Sequence, residues 1–290
     1  MAKNSNDASY SAYIKTQKIF RHVICVILCV LSIFPFYVMV INSTWDSNSI
    51  QQGIHIFPST NFFNNWASLM EKSDGMQTSI WGAMLHSLLI SVPTTALQVY
   101  CATLTAYGLT VYQFKGRDMA WTFILAIMMI PAQVTIIGFV QAMIKMNMYD
   151  TYWPLIIPGI AAPSTVYFMK QYMSSALSLE IIEAARIDGS GEFATFNRIA
   201  LPLMKPAMAT QAIFAFVASW NNLYTPTMII QNQKKITLPM FVQSMRSEQF
   251  RSDYGMIYLG LFLTVLPIFV IYFSLSKYII AGVALGGVKE

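Results

Sequence analysis

The chain has 290 residues, of which 56% are apolar and 11% charged, with a formal net charge of +5. Soluble domains hold roughly 45–50% apolar and about 25% charged residues, so the composition excludes an ordinary soluble domain. The basic residues are spread along the chain rather than gathered into a patch, which excludes a nucleic-acid-binding surface and leaves a lipid membrane as the partner.

In chain order, residues 1–18 are polar and read as a cytoplasmic tail, either mobile or lying as a surface helix. Six uncharged stretches follow, each about long enough to cross roughly 30 Å of hydrocarbon, which needs around 20 helical residues. The fold class is therefore all-α, a polytopic membrane protein with six transmembrane helices. The first stretch is 23–42, within a first transmembrane helix at 19–42, and no cleavage site of a signal peptide stands out before it. Cys25 and Cys29 share a face at i,i+4 and read as packing residues. Cys101 stands alone, so no disulfide framework is implied. Residues 43–79 form an extracytoplasmic loop with Trp45, Phe57, Phe62, Phe63 and Trp66, which serve either as interface anchors or as a docking surface. His55 and His86 read as polar packing residues.

The second stretch lies within 80–114 and the third is 119–144, broken at Ile130-Pro131. Gln133 beside that break either lines a pathway or bonds to a neighbouring helix. The fourth, 152–169, is interrupted by Pro154, Pro158 and Pro163. The fifth, 206–233, contains Trp220, Asn221, Asn222 and Tyr224, and the sixth, 254–276, contains Pro267. Aromatic faces beside amides suit a sugar ring, by stacking and hydrogen bonding, and equally suit helix packing. With the N-terminus in the cytoplasm, Lys3, Lys15, Lys18, Arg21, Lys115, Arg117, Lys170, Arg186, Arg198, Lys205, Lys277 and Lys289 fall inside, twelve of the 18 basic residues. The positive-inside rule thus puts both termini in the cytoplasm.

Between the fourth and fifth stretches lies a polar interval, 183–206, the organising segment of the chain. Glu180 and Glu183 stand near the start of a helix over Leu179–Ile187, where carboxylates favour the positive end of the helix dipole. Asp188-Gly189-Ser190 breaks it, with Gly189 free to take positive φ and Ser190 able to cap a second helix. That helix sets Phe193, Phe196 and Ile199 or Ala200 on one face and ends at Leu201-Pro202. Such a segment lies against the outside of a membrane domain and presents a knob to another protein. No phosphate-binding Gly-x-x-x-x-Gly-Lys-Ser/Thr loop, zinc-protease His-Glu-x-x-His or Gly-x-Ser-x-Gly elbow occurs, so no catalytic residue, metal site or cofactor is assigned to this chain. No Asp or Glu lies in the six stretches, which weakens an ion-driven carrier.

The run Glu183-Ala184-Ala185, three residues, Gly189, nine residues, Ile199, one residue and Leu201-Pro202 resembles the EAA loop of ABC importer permeases. Ala106-Tyr107-Gly108 through Phe114-Lys115-Gly116-Arg117 resembles that family's second inner loop. Trp220-Asn221-Asn222, Thr237-Leu238-Pro239 and the tail 282–290 resemble its carbohydrate branch, closest to the G-type subunit of maltose-type importers. The resemblance runs from about Asn42 to the last residue. His86-Ser87 departs from the family's Asn-Ser, and Ser178 stands where a proline is common.

The resemblance implies a permease core over 80–281, a cytoplasmic coupling loop at 179–206 and a cytoplasmic tail at 282–290. It implies coupling to an ATPase through Glu183, Ala184, Ala185, Asp188, Gly189 and Phe193, and a substrate pathway through Gln133, Trp220, Asn221, Asn222 and Tyr224. The implied partners are a second permease subunit, two ATPase subunits that bind ATP and magnesium, and an extracytoplasmic sugar-binding protein. The implied setting is a bacterial or archaeal cell membrane. The expected function is import of a sugar, an oligosaccharide above all, by a chain that is not itself an enzyme. A permease for a non-sugar solute, a stand-alone secondary carrier and a scaffold without transport are the alternatives.

Overall fold

A computed structural model describes residues 2–246 and 253–286, and every regular element among them is helical. In chain order these are α1 (Ala2–Asn42), α2 (Ser47–Gln52), α3 (Phe62–Asp74), α4 (Ile80–Val111), α5 (Arg117–Met128), α6 (Ala132–Lys145) and α7 (Trp153–Ile156). A 3-10 turn, Ile157–Ile160, leads to α8 (Pro163–Ala176) and α9 (Leu179–Ile187). Then come α10 (Glu192–Thr195), a π-helical turn at Phe196–Ala200, α11 (Leu201–Leu203), α12 (Lys205–Trp220), α13 (Tyr224–Ile229), a short 3-10 turn at Gln233–Lys235, α14 (Leu238–Arg246) and α15 (Tyr254–Gly286). The chain divides by its contacts into two units, 1–71 with 248–262 and 72–247 with 263–290.

The first unit holds α1, which runs as one helix from Ala2 to Asn42. From Ile19 to Val40 its large apolar side chains are mostly exposed, as befits a helix solvated by lipid. The loop behind it is a compact knot of hydrogen bonds. Asn65 Nδ2 donates to the carbonyls of Ser43 (2.8 Å) and Trp45 (2.9 Å), and Trp45 Nε1 donates to Phe57 O at 2.8 Å. His55 stacks on Trp45 at 3.9 Å between ring centroids, a packing residue as expected. Trp45 is thereby engaged inside the loop, while Phe57 and Phe63 stay exposed. Asp46 caps α2 by accepting the N–H groups of Asn48 and Ser49. The Ser49 hydroxyl and these amides hold its carboxyl below the usual range.

The second unit is built around α4. Ser79 starts this helix by accepting the N–H of Gly82. Its buried positions are largely small, with Ala83, Ser87, Ser91, Thr94, Ala102, Thr103 and Ala106 among them. Small residues let helices approach closely where apolar burial gives no drive between lipid-solvated segments. Accordingly α8, α12, α14 and the 3-10 turn Ile157–Ile160 all pack on α4. At Gly159 the approach is so close that a Cβ would meet Thr94 O at 3.0 Å. Toward the C-terminal end of α4, Tyr107 and Leu109 join Met169, Met173, Ile182, Phe196 and Met204 in one buried cluster.

Among the described residues, three helical stretches are long and apolar enough to cross a membrane: Ile14–Asn42, Ile80–Val111 and Tyr254–Tyr278. Two bent pairs raise the number to five if each counts as one span. These correspond to the first, second and sixth of the expected stretches, and the bent pairs fall on the third and fifth. The third breaks at the expected Ile130-Pro131, where Arg117–Met128 meets Gln133–Lys145 at 102°. The fifth ends at Trp220 rather than running to residue 233, and its bend of 80° joins it to Glu192–Leu203. Over the expected fourth stretch the helix is cut into pieces. Pro158 and Pro163 stand at the starts of the 3-10 turn and of α8, and α8 itself has 14 residues. Proline lacks the N–H that would continue the preceding helix. Residues 247–252 and 287–290, including Arg251 and the end of the tail singled out in the sequence, lie outside the described residues.

Candidate functional site

The Asp188-Gly189-Ser190 turn closes α9 as a Schellman motif. Gly189 stands at φ 79°, its N–H bonds to Arg186 O at 3.0 Å, and Ser190 N–H reaches back to Ala185 O at 2.9 Å. Only glycine takes this left-handed conformation without a Cβ penalty. Ser178 is the N-cap residue of α9 by its backbone, but its hydroxyl makes no cap hydrogen bond to the chain and lies 3.4 Å from Glu180 Oε2. The second helix differs from expectation. Its N-cap is Gly191, not Ser190, whose hydroxyl instead accepts from Thr195 Oγ1 at 2.8 Å. Gly191 takes the extended backbone of an N-cap, with φ −68° and ψ 151°.

A charged clamp joins the two helices. Arg186 Nε donates to Glu192 Oε1 at 2.8 Å and Nη2 donates to Oε2 at 3.2 Å, a bidentate pair. Tyr112, just past α4, donates its hydroxyl to Glu192, and the Arg186 guanidinium lies 5.4 Å from its ring centroid. The hydrogen bonds of Glu192 raise Arg186 above its already high range. Burial, and then the Glu192 hydrogen bond, push the Tyr112 phenol up to about 12. Sequence reasoning missed this clamp. Its one signal was an Arg and a Glu six residues apart across a glycine turn.

The segment therefore has two sides. Ile182 and Phe196 are fully buried against α4 and α8, with Phe196 5.2 Å from the Tyr107 ring and 5.8 Å from the Tyr100 ring. Ala185 is also buried, so the close approach its small side chain permits is to its own chain. Glu183, Ala184, Asp188 and Gly189 are exposed on the other side. Beside them stand Ile187, 87% exposed, and Phe193, 70% exposed. Phe193 and Phe196 were expected on one face. The roll of the helix puts the edge of the buried stripe between them, with Phe196 taken by the two tyrosine rings.

The pathway candidates separate likewise. Trp220 is 1% exposed, donates Nε1 to Thr264 O at 2.9 Å and stacks on Phe216 at 5.5 Å, so it is a packing residue. Asn222 Oδ1 accepts the N–H of Thr225 at the start of α13. Asn221 and Tyr224 are exposed, as is Gln133 on α6. Behind Trp220 lies a cavity of about 20 Å³, reached by Ser91, Asn222 and Thr237. The Ser91 and Thr237 hydroxyls in it are buried without a protein partner. A cavity of that size with polar walls suits one water molecule.

Near it the segment 231–237 is strapped down. Asp150, itself at φ 57°, accepts the N–H groups of Gln231 (2.9 Å) and Asn232 (3.0 Å), and Lys235 Nζ lies 3.1 Å from its Oδ2. Partial burial opposes ionisation of Asp150, but these N–H groups and Lys235 together hold its carboxyl below the usual range. His86 Nδ1 lies 3.1 Å from Ile236 O, and Ser87 Oγ accepts the N–H of Leu238. The departure at His86 thus sits on a backbone strap.

The profile of a family described as binding-protein-dependent transport system inner membrane component matches residues 98–284. The arabinooligosaccharides transport system permease protein AraQ of Bacillus subtilis (strain 168) is 32% identical over 265 residues, covering 90% of this chain and 92% of the relative. The lactose transport system permease protein LacG of Rhizobium radiobacter is 30% identical over 259 residues, covering 89% and 92%. A chain from the crystal structure of a bacterial ABC transporter involved in the import of the acidic polysaccharide alginate superposes with a TM-score of 0.76. That match covers 91% of this chain and 96% of the other at 19% identity, a likeness of fold. By the length of the family match and the identity to its relatives, this chain belongs to the binding-protein-dependent transport system inner membrane components.

Proposed function

We propose that this chain is a membrane permease subunit of an ATP-driven, binding-protein-dependent importer of sugars, oligosaccharides above all. The observation that carries the reading is the two-sided segment Leu179–Leu203. One face is seated in the core on α4 and α8 through Ile182 and Phe196, and the other exposes Ile187, Gly189 and Phe193. Two large apolar side chains standing free beside a fixed turn are a knob in need of a socket. In this reading the socket belongs to a separate ATPase subunit in the cytoplasm, which holds ATP and magnesium. Its closure pulls Glu183, Ala184, Asp188 and Phe193, and the Arg186–Glu192–Tyr112 clamp passes the pull to α4.

A second permease subunit completes the pathway and an extracytoplasmic sugar-binding protein delivers the substrate. The chain sits in the cell membrane with both termini and the Gly189 turn in the cytoplasm, its permease core spanning 80–281. Asn221, Tyr224 and Gln133 are the residues free to meet a solute. The sugar assignment rests on the arabinooligosaccharide and lactose relatives. The test is purification of the tagged chain in mild detergent, with co-purifying proteins identified and ATP hydrolysis assayed. A second permease and an ATPase, stimulated by a sugar-loaded binding protein, are expected. A chain that purifies alone and moves solute down an ion gradient in liposomes would overturn the reading.

A further inference from the structure

A separate cavity of about 220 Å³ opens between the end of α4, the start of α5 and α8. It lies at the end of the fold that carries the Gly189 turn, since Leu109 in its wall belongs to the cluster of Ile182 and Phe196. Its polar walls are Thr110, Arg117, Asp118, Lys170 and Ser174, with Trp121 as the aromatic side. Lys170 Nζ stands 4.2 Å over the Trp121 ring, and Trp121 is stacked on Tyr167 at 5.8 Å with 7° between the planes. The ring pair therefore fixes where the ammonium sits. Arg117 touches Asp118 only through Nε, at 3.4 Å, and the Asp118 side chain is 94% exposed and turned to water. Among the described residues no carboxylate meets Lys170, and no acceptor meets the terminal nitrogens of Arg117. The Thr110 hydroxyl is buried without a partner.

Two under-compensated cations and one orphaned hydroxyl converge on a space large enough for a phosphate group. The surroundings say what carries the phosphate. Trp121 and Tyr167 are the ring types that sit at the headgroup level. From the same turn of α5, Met119 and Phe123 stand exposed at i,i+4, an apolar stripe starting where the cavity opens. Basic pockets between membrane helices bind anionic lipid headgroups. We propose that this cavity holds the phosphate of an anionic phospholipid, between Arg117 and Lys170, with its acyl chains along Met119 and Phe123. Such a lipid ties α5 and α8 to the headgroup layer next to the coupling segment.

The test is native mass spectrometry of the full chain, in whatever complex it purifies with, after exposure to equal amounts of phosphatidylglycerol and phosphatidylcholine. Wild type is expected to retain phosphatidylglycerol selectively. Each basic residue near an anionic headgroup is worth roughly fivefold in affinity, so Arg117→Gln with Lys170→Gln should lower that retention about thirtyfold and leave phosphatidylcholine unchanged. Thr110→Val, which is nearly isosteric, should lower it a few-fold with an unaltered melting temperature, and decides the matter if the double variant fails to fold. Equal retention of the two lipids by wild type, or unchanged selectivity in the variants, overturns the proposal. So does displacement of phosphatidylglycerol by millimolar inorganic phosphate, which would make the cavity a site for the free anion.

Discussion

Gly189 has φ 79° and nothing within 4 Å of where a Cβ would sit. A side chain there meets open space, so any penalty is torsional, about 1–2 kcal/mol in the left-handed region and more for a β-branched residue. Gly189→Val is expected to abolish transport while membrane insertion stays intact, and Gly189→Asn, which tolerates this conformation, should keep much of the activity. Uptake set against the amount of chain in the membrane fraction checks this, and normal uptake by the valine variant would remove the turn from the coupling scheme. Asp150 gives a pH prediction. Its carboxyl is lowered in the folded chain, so its stabilising effect is present above the ordinary aspartate range near 3.9 and is lost as pH falls through the folded value. Asp150→Asn should thus lower the melting temperature at pH 7, with the difference from wild type closing below about pH 4. At this scale the sequence was legible wherever a residue's own backbone chemistry decides, as at Gly189. It was not legible for Ser190 or Phe193, because the identity of a cap and the roll of a helix depend on which neighbouring rings are present.

Among the elements, α9 matches its expected bounds because its length is set locally, by extended backbone at Ser178 and the glycine turn at its end. The membrane stretches were harder to read. Hydropathy and the proline located the break at Ile130-Pro131 but not its angle, so the 102° bend there, and the 80° bend at Met204 altogether, had to come from the structure. The clamp on Glu192 stands at the water-exposed surface, where solvent and salt screen an ion pair and leave it little weight in stability. Under the proposed function its effect is to carry the pull between α9, α10 and α4. Glu192→Gln is expected to leave the melting temperature within a few degrees and to lower transport and substrate-stimulated ATP hydrolysis together. A variant with full ATP hydrolysis and full transport would show that the clamp carries no pull. Trp220 separates packing from solute contact. With its ring buried, Trp220→Phe should remove a hydrogen bond worth about 1 kcal/mol and lower the melting temperature without changing the KM for uptake. Asn221→Ala or Tyr224→Ala should raise that KM, their side chains being exposed.

At the scale of the whole molecule, charge and apolar blocks together predict a topology that can be measured directly. The positive-inside count puts Gly116 and the Gly189 turn on the same side as the N-terminus, and Asn232 on the opposite side. All three positions are exposed, so a thiol placed there is open to reagent. The native Cys25 and Cys29 are exposed and Cys101 is half-buried, so the experiment starts from a chain with all three changed to alanine. In intact cells a membrane-impermeant maleimide is expected to label Asn232→Cys and to spare Gly116→Cys and Gly189→Cys, which react only after the membrane is opened. Gly116→Cys and Gly189→Cys are both strained, at φ 91° and 79°, so Lys115→Cys and Asp188→Cys, at ordinary backbone positions, serve as their checks. Labelling of 188 or 189 from outside would invert the chain, put the knob away from any cytoplasmic ATPase and remove the basis for coupling through it. Labelling of Asn232 from outside together with Gly116 would instead mean that the bent pair of α5 and α6 re-enters rather than crosses. In that case the membrane is crossed fewer times than six uncharged stretches suggest, and the 102° bend is the physical reason.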